Sequence, residues 1–350
     1  MTLEVLKPGA QSMLQDRGRH GYQRFGVPVA GAMDEWSSRL ANALVGNDDG
    51  AATLEIVLTG PSLRVRDTAL IAVCGADLAP TVTGASGTER LPHGRPVWVR
   101  AGGRIDFGAR RADAGVRAYL AVCGGFDVPL VMGSRSTYLR GGFGGFAGRA
   151  LARGDLLSVG TSSVVADPAA TAAAAFWRSI SGSLMRPSSP LTVPPVTVAE
   201  VETIRLIPGA QWNAFTAESR EQLLAAEYRI GVQSDRMGYR LEGPVLERVQ
   251  PIEMISEGVN CGTVQVPPDG QPIVLMADRG TSGGYPKIAE VASVDRWRLA
   301  QLAPGHRLRF APITLADAQR ILLAREREYS HVSRIMRAPP VPFRRQRARP

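Results

Sequence analysis

Lysine is nearly absent from this chain. Of its 41 basic residues only Lys7 and Lys287 are lysines, so almost every positive charge is a guanidinium that stays protonated. A lysine kept in such a background is a candidate for work arginine cannot do, because a desolvated ammonium can lose its proton. Cysteine is scarce as well. Cys74, Cys123 and Cys261 lie far apart in apolar or small-residue stretches, odd in number and at no metal-ligand spacing. That excludes a disulfide framework and fits free thiols in a reducing cytoplasm. The four histidines never fall at HxxxH or similar spacing, which argues against a metal site built from His and Cys. No GxxxxGK[ST] loop occurs, excluding a P-loop ATPase. No apolar run approaches the ~20 residues of a membrane span, and the start, MTLEVLKPGA, is not a secretory signal. A soluble cytoplasmic protein is expected.

What is present bounds the class. The 350 residues suffice for two ordinary domains, with 44% hydrophobic and 21% charged residues as in a globular protein. The 38 Gly and 25 Pro favour many short strands joined by turns. The net charge of +9 is concentrated at one end: Arg325–Pro350 holds eight Arg and two Glu, leaving only +3 for the rest. So thin a surplus does not make a phosphate-tracking groove, and no nucleic-acid partner is expected. The basic end reads as solvated chain.

Short β-rich runs recur at Leu54–Leu58, Ala69–Cys74, Val97–Arg100 and Val116–Val122. They resume at Thr203–Ile207, Val264–Val266, Ile273–Met276 and Arg307–Phe310. Between the two sets, 161–198 is rich in Ala, Ser and Pro, with one weak helical turn around Phe176–Ile180, and reads as a linker or covering loop. The pattern predicts a mainly β protein with β units at 1–160 and 199–314 and a helix with a basic tail at 315–350. Helices are expected at Asp34–Leu44, with Asp34 as N-cap, at Thr216–Ala226 and at Leu315–Glu328. Gly60-Pro61-Ser62-Leu63 resembles Gly243-Pro244-Val245-Leu246, and 102–107 resembles 305–310, which suggests an internal duplication.

Two clusters combine Gly with charged residues, a mixture suited to close approach of backbone to a ligand. The first holds QDRGRHGY at 15–22 and GVPVAGAMD at 26–34. The second holds SDRMGYRLEG at 234–243, ISEGV at 255–259, QVPPDGQPIVLMADR at 265–279 and GGYPKIA at 283–289. Taken singly, each has an ordinary explanation: QDRGR as a charged turn, PPDGQP as a β-hairpin turn, the paired Gly as a bulge.

Together with RLANALVGN, RAYLAVCGG and GSRSTY, these runs resemble, in the same order and over roughly Pro8–Pro312, the family known as allophanate hydrolase subunit 2 or biotin-dependent carboxyltransferase. The resemblance implies two cyclophilin-like β-barrels. It implies the C subunit of an ATP-dependent 5-oxoprolinase, which with separate B and A subunits converts 5-oxo-L-proline to L-glutamate. Other members act as urea carboxylase carboxyltransferase domains or as antagonists of a kinase inhibitor. ATP is then the co-substrate of the complex. Biotin is not carried by this chain, because neither Leu-Lys-Pro nor Pro-Lys-Ile is the Met-Lys-Met type of a carrier, and no metal is expected.

The candidate site residues follow from motif and chemistry together. Lys287 suits a phosphate, a carboxylate or a developing oxyanion. Arg236 and Arg279 suit anionic groups through paired hydrogen bonds. Asp278 and Glu257 can orient a cation, a ribose or a nucleophilic water. Gln265 can read an amide edge. Asp16, Arg17, Asp34, Thr281 and Tyr285 complete the candidate substrate-binding set. For each the alternative is a buried salt bridge or turn cap that secures the β units.

Overall fold

Alternation fixes the first strand. In Thr2–Lys7, Leu3 and Val5 are fully buried and their neighbours are not. A computed structural model describes residues 1–161, 184–185, 191–251 and 253–337. Thr2–Lys7 sits in a six-stranded sheet between Leu156–Ser158 and Ser62–Val65, continuing through Arg104–Asp106, Thr81–Gly84 and Gly87–Arg90. A second six-stranded sheet runs Leu184–Met185, Val97–Val99, Ala69–Gly75, Arg117–Val122, Thr53–Val57 and Gln11–Gln15. One core joins the two sheets, with Leu3, Val5 and Leu63 facing Leu54, Ile71, Val73 and Leu120.

Ala69–Gly75 is buried on both faces, and its two faces have different covers. Ile71 and Val73 enter the inter-sheet core, while Leu70, Ala72 and Cys74 pack under helix α1 (Glu35–Leu44) with its Leu40, Ala41 and Leu44. Cys74 and Cys123 are buried there. Asp34 caps α1 as expected, accepting the Ser37 N–H at 2.9 Å.

The second half closes into a seven-stranded barrel: Val201–Pro208, Lys287–Val291, Thr263–Gln265, Ile273–Leu275, Gly238–Glu242, Glu227–Ile230 and Arg307–Pro312. A parallel pair, Val201–Pro208 with Arg307–Pro312, completes the ring, so no edge strand is left open. Ile204, Tyr228, Leu241, Val264, Val274, Ile288, Leu308 and Phe310 fill it. The PPDGQP turn does join two antiparallel strands, Gly270 N–H donating to Pro267 O at 3.0 Å. Helices α2 (Ala217–Ala225, capped by Thr216) and α3 (Arg296–Ala300) lie outside the ring.

The chain is thus mainly β with few helices, one half a closed barrel and the other two sheets about a shared core. Of the two sequence matches behind the suggested duplication, one has a like local conformation. Gly102 and Gly305 both take left-handed turns (φ +84° and +89°) into strands Arg104–Asp106 and Arg307–Pro312. Gly60-Pro61 opens the strand Ser62–Val65, but no strand follows Gly243-Pro244.

The basic end departs from expectation. Helix α4 runs Leu315–Arg337, and its later part is docked rather than solvated as far as Arg337. Arg39 grips Glu326 through two bonds of 2.6 and 2.8 Å, and Tyr329 meets Trp36 edge-on at 6.3 Å. The Arg325 guanidinium lies over the rings of both Trp36 and Trp297, at 4.8 and 4.6 Å. Flat guanidinium faces stack on aromatics, and that contact offsets the lost chain entropy. Residues 338–350 and the Phe176–Ile180 turn lie outside the described residues. Of 161–198, Leu184–Met185 extends a sheet, and 191–198 covers the first half, with Val193 paired to Gly94 and Val196 N–H donating to Gly75 O. No described helix is long and apolar enough to cross a membrane.

Candidate functional site

The two glycine-rich clusters, far apart in sequence, converge. The loop between strand Gln11–Gln15 and α1 contributes Arg17, His20 and Met33 to a cleft of about 750 Å³. The barrel contributes Asn260, Cys261, Arg279 and Glu290, α3 contributes Arg296 and Trp297, and α4 contributes Arg325 and Glu326.

The loop is held by Asp16. One carboxylate oxygen accepts Ser134 Oγ at 2.7 Å, Ser136 Oγ at 2.5 Å and Gly18 N–H at 2.7 Å; the other accepts Arg135 N–H at 2.5 Å. With its acceptor sites filled, Asp16 anchors the GSRSTY segment and is not free for substrate. Gly18 is required there: its φ is +89°, and a Cβ would fall 2.6 Å from Val29 O. Arg17 lines the cleft but pairs with Glu35 at 3.1 Å and Asp49 at 3.3 Å, half-exposed. Asp34 is fully buried, and its second oxygen accepts Ser37 Oγ and Gln301 Nε2, each at 2.6 Å. Burial pushes its carboxyl up despite those donors. The structure makes it a cap tied to the barrel, where the sequence suggested a substrate ligand.

Behind the cleft a buried network joins the two halves. Arg236 holds both Asp278 oxygens (2.9 and 2.8 Å), Glu55 at 2.6 Å and Gly31 O at 2.6 Å. Burial is the largest influence on this guanidinium and works against its charge, but Glu55 and Asp278 together outweigh it and raise its pKa. Glu55 also accepts Tyr119 Oη at 2.8 Å and Met33 N–H at 2.9 Å. Arg236 and Asp278 border a second cleft, of about 620 Å³, with Leu58, Arg117, Arg140 and Tyr239. The flanking Ala277 and Arg279 face the first, so this network forms a wall between them.

The other two catalytic candidates pair elsewhere. Lys287 Nζ meets Glu257 at 2.8 Å, with Lys287 mostly covered and Glu257 exposed. The lysine's hydrogen bond holds the Glu257 carboxyl below its ordinary range. Gln211 spans the pair, its Oε1 accepting the Lys287 N–H at 3.0 Å and its Nε2 donating to Glu257 at 3.4 Å. Among the described residues no hydrogen bond or ion pair links Lys287–Glu257 to Arg236–Asp278. Gln265 Nε2 donates to Tyr285 O at 3.3 Å, a bond that uses one N–H of the amide and not its oxygen. Tyr285 itself is exposed, and Thr281 O accepts Val259 N–H at 3.3 Å. Gly280–Gly284 has the GxSxG spacing of a nucleophile elbow, but Ser282 sits in a two-residue strand paired with Glu257–Gly258, not at a strand-to-helix turn.

Arg279 faces the 750 Å³ cleft. It is 8% exposed, and its only bonds among the described residues are long ones to backbone, to Val259 O at 3.3 Å and Met276 O at 3.4 Å. Burial lowers its pKa. Nearby Glu290 accepts Thr263 Oγ1 at 2.8 and 3.0 Å, and burial raises its carboxyl in spite of that bond and the surrounding cations. Sequence reasoning missed Glu55, Tyr119, Arg117, Glu290, Arg296 and Gln301. Each sits in or beside an apolar run or short helix, where one polar residue among hydrophobic ones reads as a solvent-facing position.

Residues 25–312 match the model of the carboxyltransferase domain, subdomains A and B. The chain belongs to this carboxyltransferase-domain family. Its relatives include the 5-oxoprolinase C subunit of Escherichia coli (strain K12), 34% identical over 95% of this chain and 97% of that protein. The Haemophilus influenzae 5-oxoprolinase C subunit is likewise 34% identical, over 95% and 98%. Among solved structures, the Kluyveromyces lactis urea amidolyase superposes with a TM-score of 0.81 at 30% identity, covering 95% of this chain and 20% of that one. For a member of this carboxyltransferase family, the cleft between the β units is the place where both motif clusters are exposed together. Among the described residues no group of His, Cys, Asp and Glu could hold a metal ion.

Proposed function

We propose that this chain is the C subunit of an ATP-dependent 5-oxoprolinase, acting in a complex with B and A subunits to open 5-oxo-L-proline to L-glutamate. The observation that carries this reading is likeness along the chain: 34% identity to the E. coli C subunit over 95% of this chain, against 30% to the urea amidolyase. The chemistry explains the coupling. A lactam is stabilised by amide resonance, and phosphorylating its oxygen makes that oxygen a leaving group and the carbon an electrophile. The reaction then needs what the inter-unit cleft offers: cationic groups for a carboxylate and for developing negative charge, held in a recess between two packed β units. ATP enters as co-substrate of the complex.

A second reading, carboxyl transfer from carboxybiotin held on another chain, is favoured by the TM-score of 0.81 to the urea amidolyase. One assay separates the two. The chain is co-expressed with its B and A partners, and glutamate and ADP are followed with and without 5-oxo-L-proline. Glutamate formed in step with ADP, lost when this chain is omitted and unaffected by avidin, is the expected result. Avidin-sensitive turnover, or none from a well-formed complex, removes the oxoprolinase reading.

A further inference from the structure

The 750 Å³ cleft contains more cationic donors than its neighbours can satisfy. Arg296 lines it without a hydrogen bond or ion pair among the described residues, and its Nε is buried with no partner. Trp297, next in the chain, lines the same cleft, and its indole Nε1 is likewise buried and unpaired. Arg279 faces them with only its two long bonds to carbonyls, and among the described residues neither guanidinium forms an ion pair with a carboxylate. Cys261 and, after it, Glu290 favour the Arg279 charge, and Glu290 accepts a hydrogen bond from Thr263. Arg325 is held over Trp36 and Trp297, so the indole edge is fixed in place.

Buried polar groups in folded proteins find partners almost without exception, and a buried charge without one is costly. Two unpaired buried N–H groups, of Arg296 and Trp297, beside the weakly bonded Arg279 guanidinium are therefore a constellation waiting for acceptors. Guanidinium and indole N–H groups donate and never accept, so a cation cannot satisfy them. An anion with two or three oxygens in a small space can, and planar guanidinium groups are shaped for carboxylate and phosphate.

We propose that Arg279, Arg296 and the indole N–H of Trp297 form an anion-receiving subsite for a carboxylate or phosphate group. Under the oxoprolinase reading, on which its biological assignment rests, the carboxylate is that of 5-oxo-L-proline, and the phosphate is one delivered by the nucleotide reaction. Arg296 and Trp297 are new to the site. They begin α3, outside the motifs that line the rest of the cleft.

The test is calorimetric titration of the full chain, alone and in the co-expressed complex. The probes are 5-oxo-L-proline, inorganic phosphate, and 2-pyrrolidinone, the same lactam ring without its carboxylate. Arg296→Gln is the main variant because Arg296 is only partly buried, and Trp297→Phe deletes the indole N–H while keeping a ring. Binding of 5-oxo-L-proline but not pyrrolidinone, weakened roughly tenfold or more by Arg296→Gln and less by Trp297→Phe, supports the subsite and assigns it to the carboxylate. The same variant response with phosphate alone assigns it to phosphate. If neither anion binds in chain or complex, or if both variants bind like the wild type, the proposal is overturned. Anion binding that depends on Arg296 in a complex that forms no glutamate would keep the subsite and sink the oxoprolinase reading instead.

Discussion

Arg236 of the barrel and Glu55 of the sheet half meet at 2.6 Å across the seam between the β units, and both side chains are buried. Neither charge has water to fall back on. Removing the Glu55 charge leaves Arg236 with Asp278 as its one counter-charge, and breaking a member out of a buried charged network typically costs about 3–5 kcal/mol. Glu55→Gln should therefore lower the unfolding free energy by about that much, read from urea midpoints. Adding Arg236→Met should cost less than the two single losses summed, because the residues share one network. An unchanged midpoint for Glu55→Gln would show that the seam is not held here.

The fastening of α4 should depend on stacking more than on its surface ion pair. Glu326 is 40% exposed, so Glu326→Gln should cost less than about 1 kcal/mol despite the paired bonds to Arg39. Arg325→Ala loses contacts with two rings and should cost about 1–2 kcal/mol. Thermal unfolding of the two variants checks the order, and equal losses would contradict it.

Glu290 gives a pH dependence of definite sign. Its folded-state pKa is raised, chiefly by burial, so in the window above the ordinary value of about 4.3 the native state holds a proton that the unfolded state has lost. Stability contributed at this position is greatest below that value and declines as pH rises through the window up to the raised folded pKa. Glu290→Gln should flatten this slope and gain on the wild type as pH rises above about 4.3 in urea unfolding. A wild-type and variant pair with parallel pH profiles would refute it.

Gly94 fixes the covering segment. Its φ is +62°, and an added Cβ would lie 1.7 Å from Val193 O, a clash with backbone that no rotamer relieves. Gly94→Ala should destabilise by more than about 1 kcal/mol and loosen 191–198. Limited proteolysis should then cut faster within that segment, and an unchanged cleavage rate would argue that the segment is held elsewhere.

Lys287 tests the lone-lysine argument. If its compact ammonium is needed beside Glu257 for the chemistry of the complex, Lys287→Arg should reduce glutamate formation about a hundredfold while the complex still assembles. Full activity in that variant would reduce Lys287 to a partner of Glu257.

Much of the scaffold was legible from local signals. The Asp34 cap, the strand at Ala69–Gly75 and the PPDGQP hairpin each rest on a few neighbouring residues, and each stands in the structure. The site was legible only as two clusters. That they share a cleft depends on the packing of sheet half against barrel, which no spacing encodes. Asp16 and Asp34 entered the substrate-binding set for a physical reason: a carboxylate in a glycine-rich loop looks the same in sequence whether it faces a ligand or ties down backbone. Glu55 was invisible because strand Thr53–Val57 places Leu54 and Ile56 in the core, and alternation then sends Glu55 to what reads as a solvent face. That face is in fact covered by the barrel through Arg236. The docking of α4 was hidden likewise, since an Arg-rich helix gives no sign of the two indoles awaiting it.

Helix α4 begins only after the barrel has closed, yet it supplies Arg325 and Glu326 to the recess between the halves. During synthesis, a ribosome that has released both β units has still not made this wall. The order of translation therefore postpones the finished recess until residues beyond 315 have emerged, and until then the tryptophan faces at 36 and 297 lack their guanidinium cover.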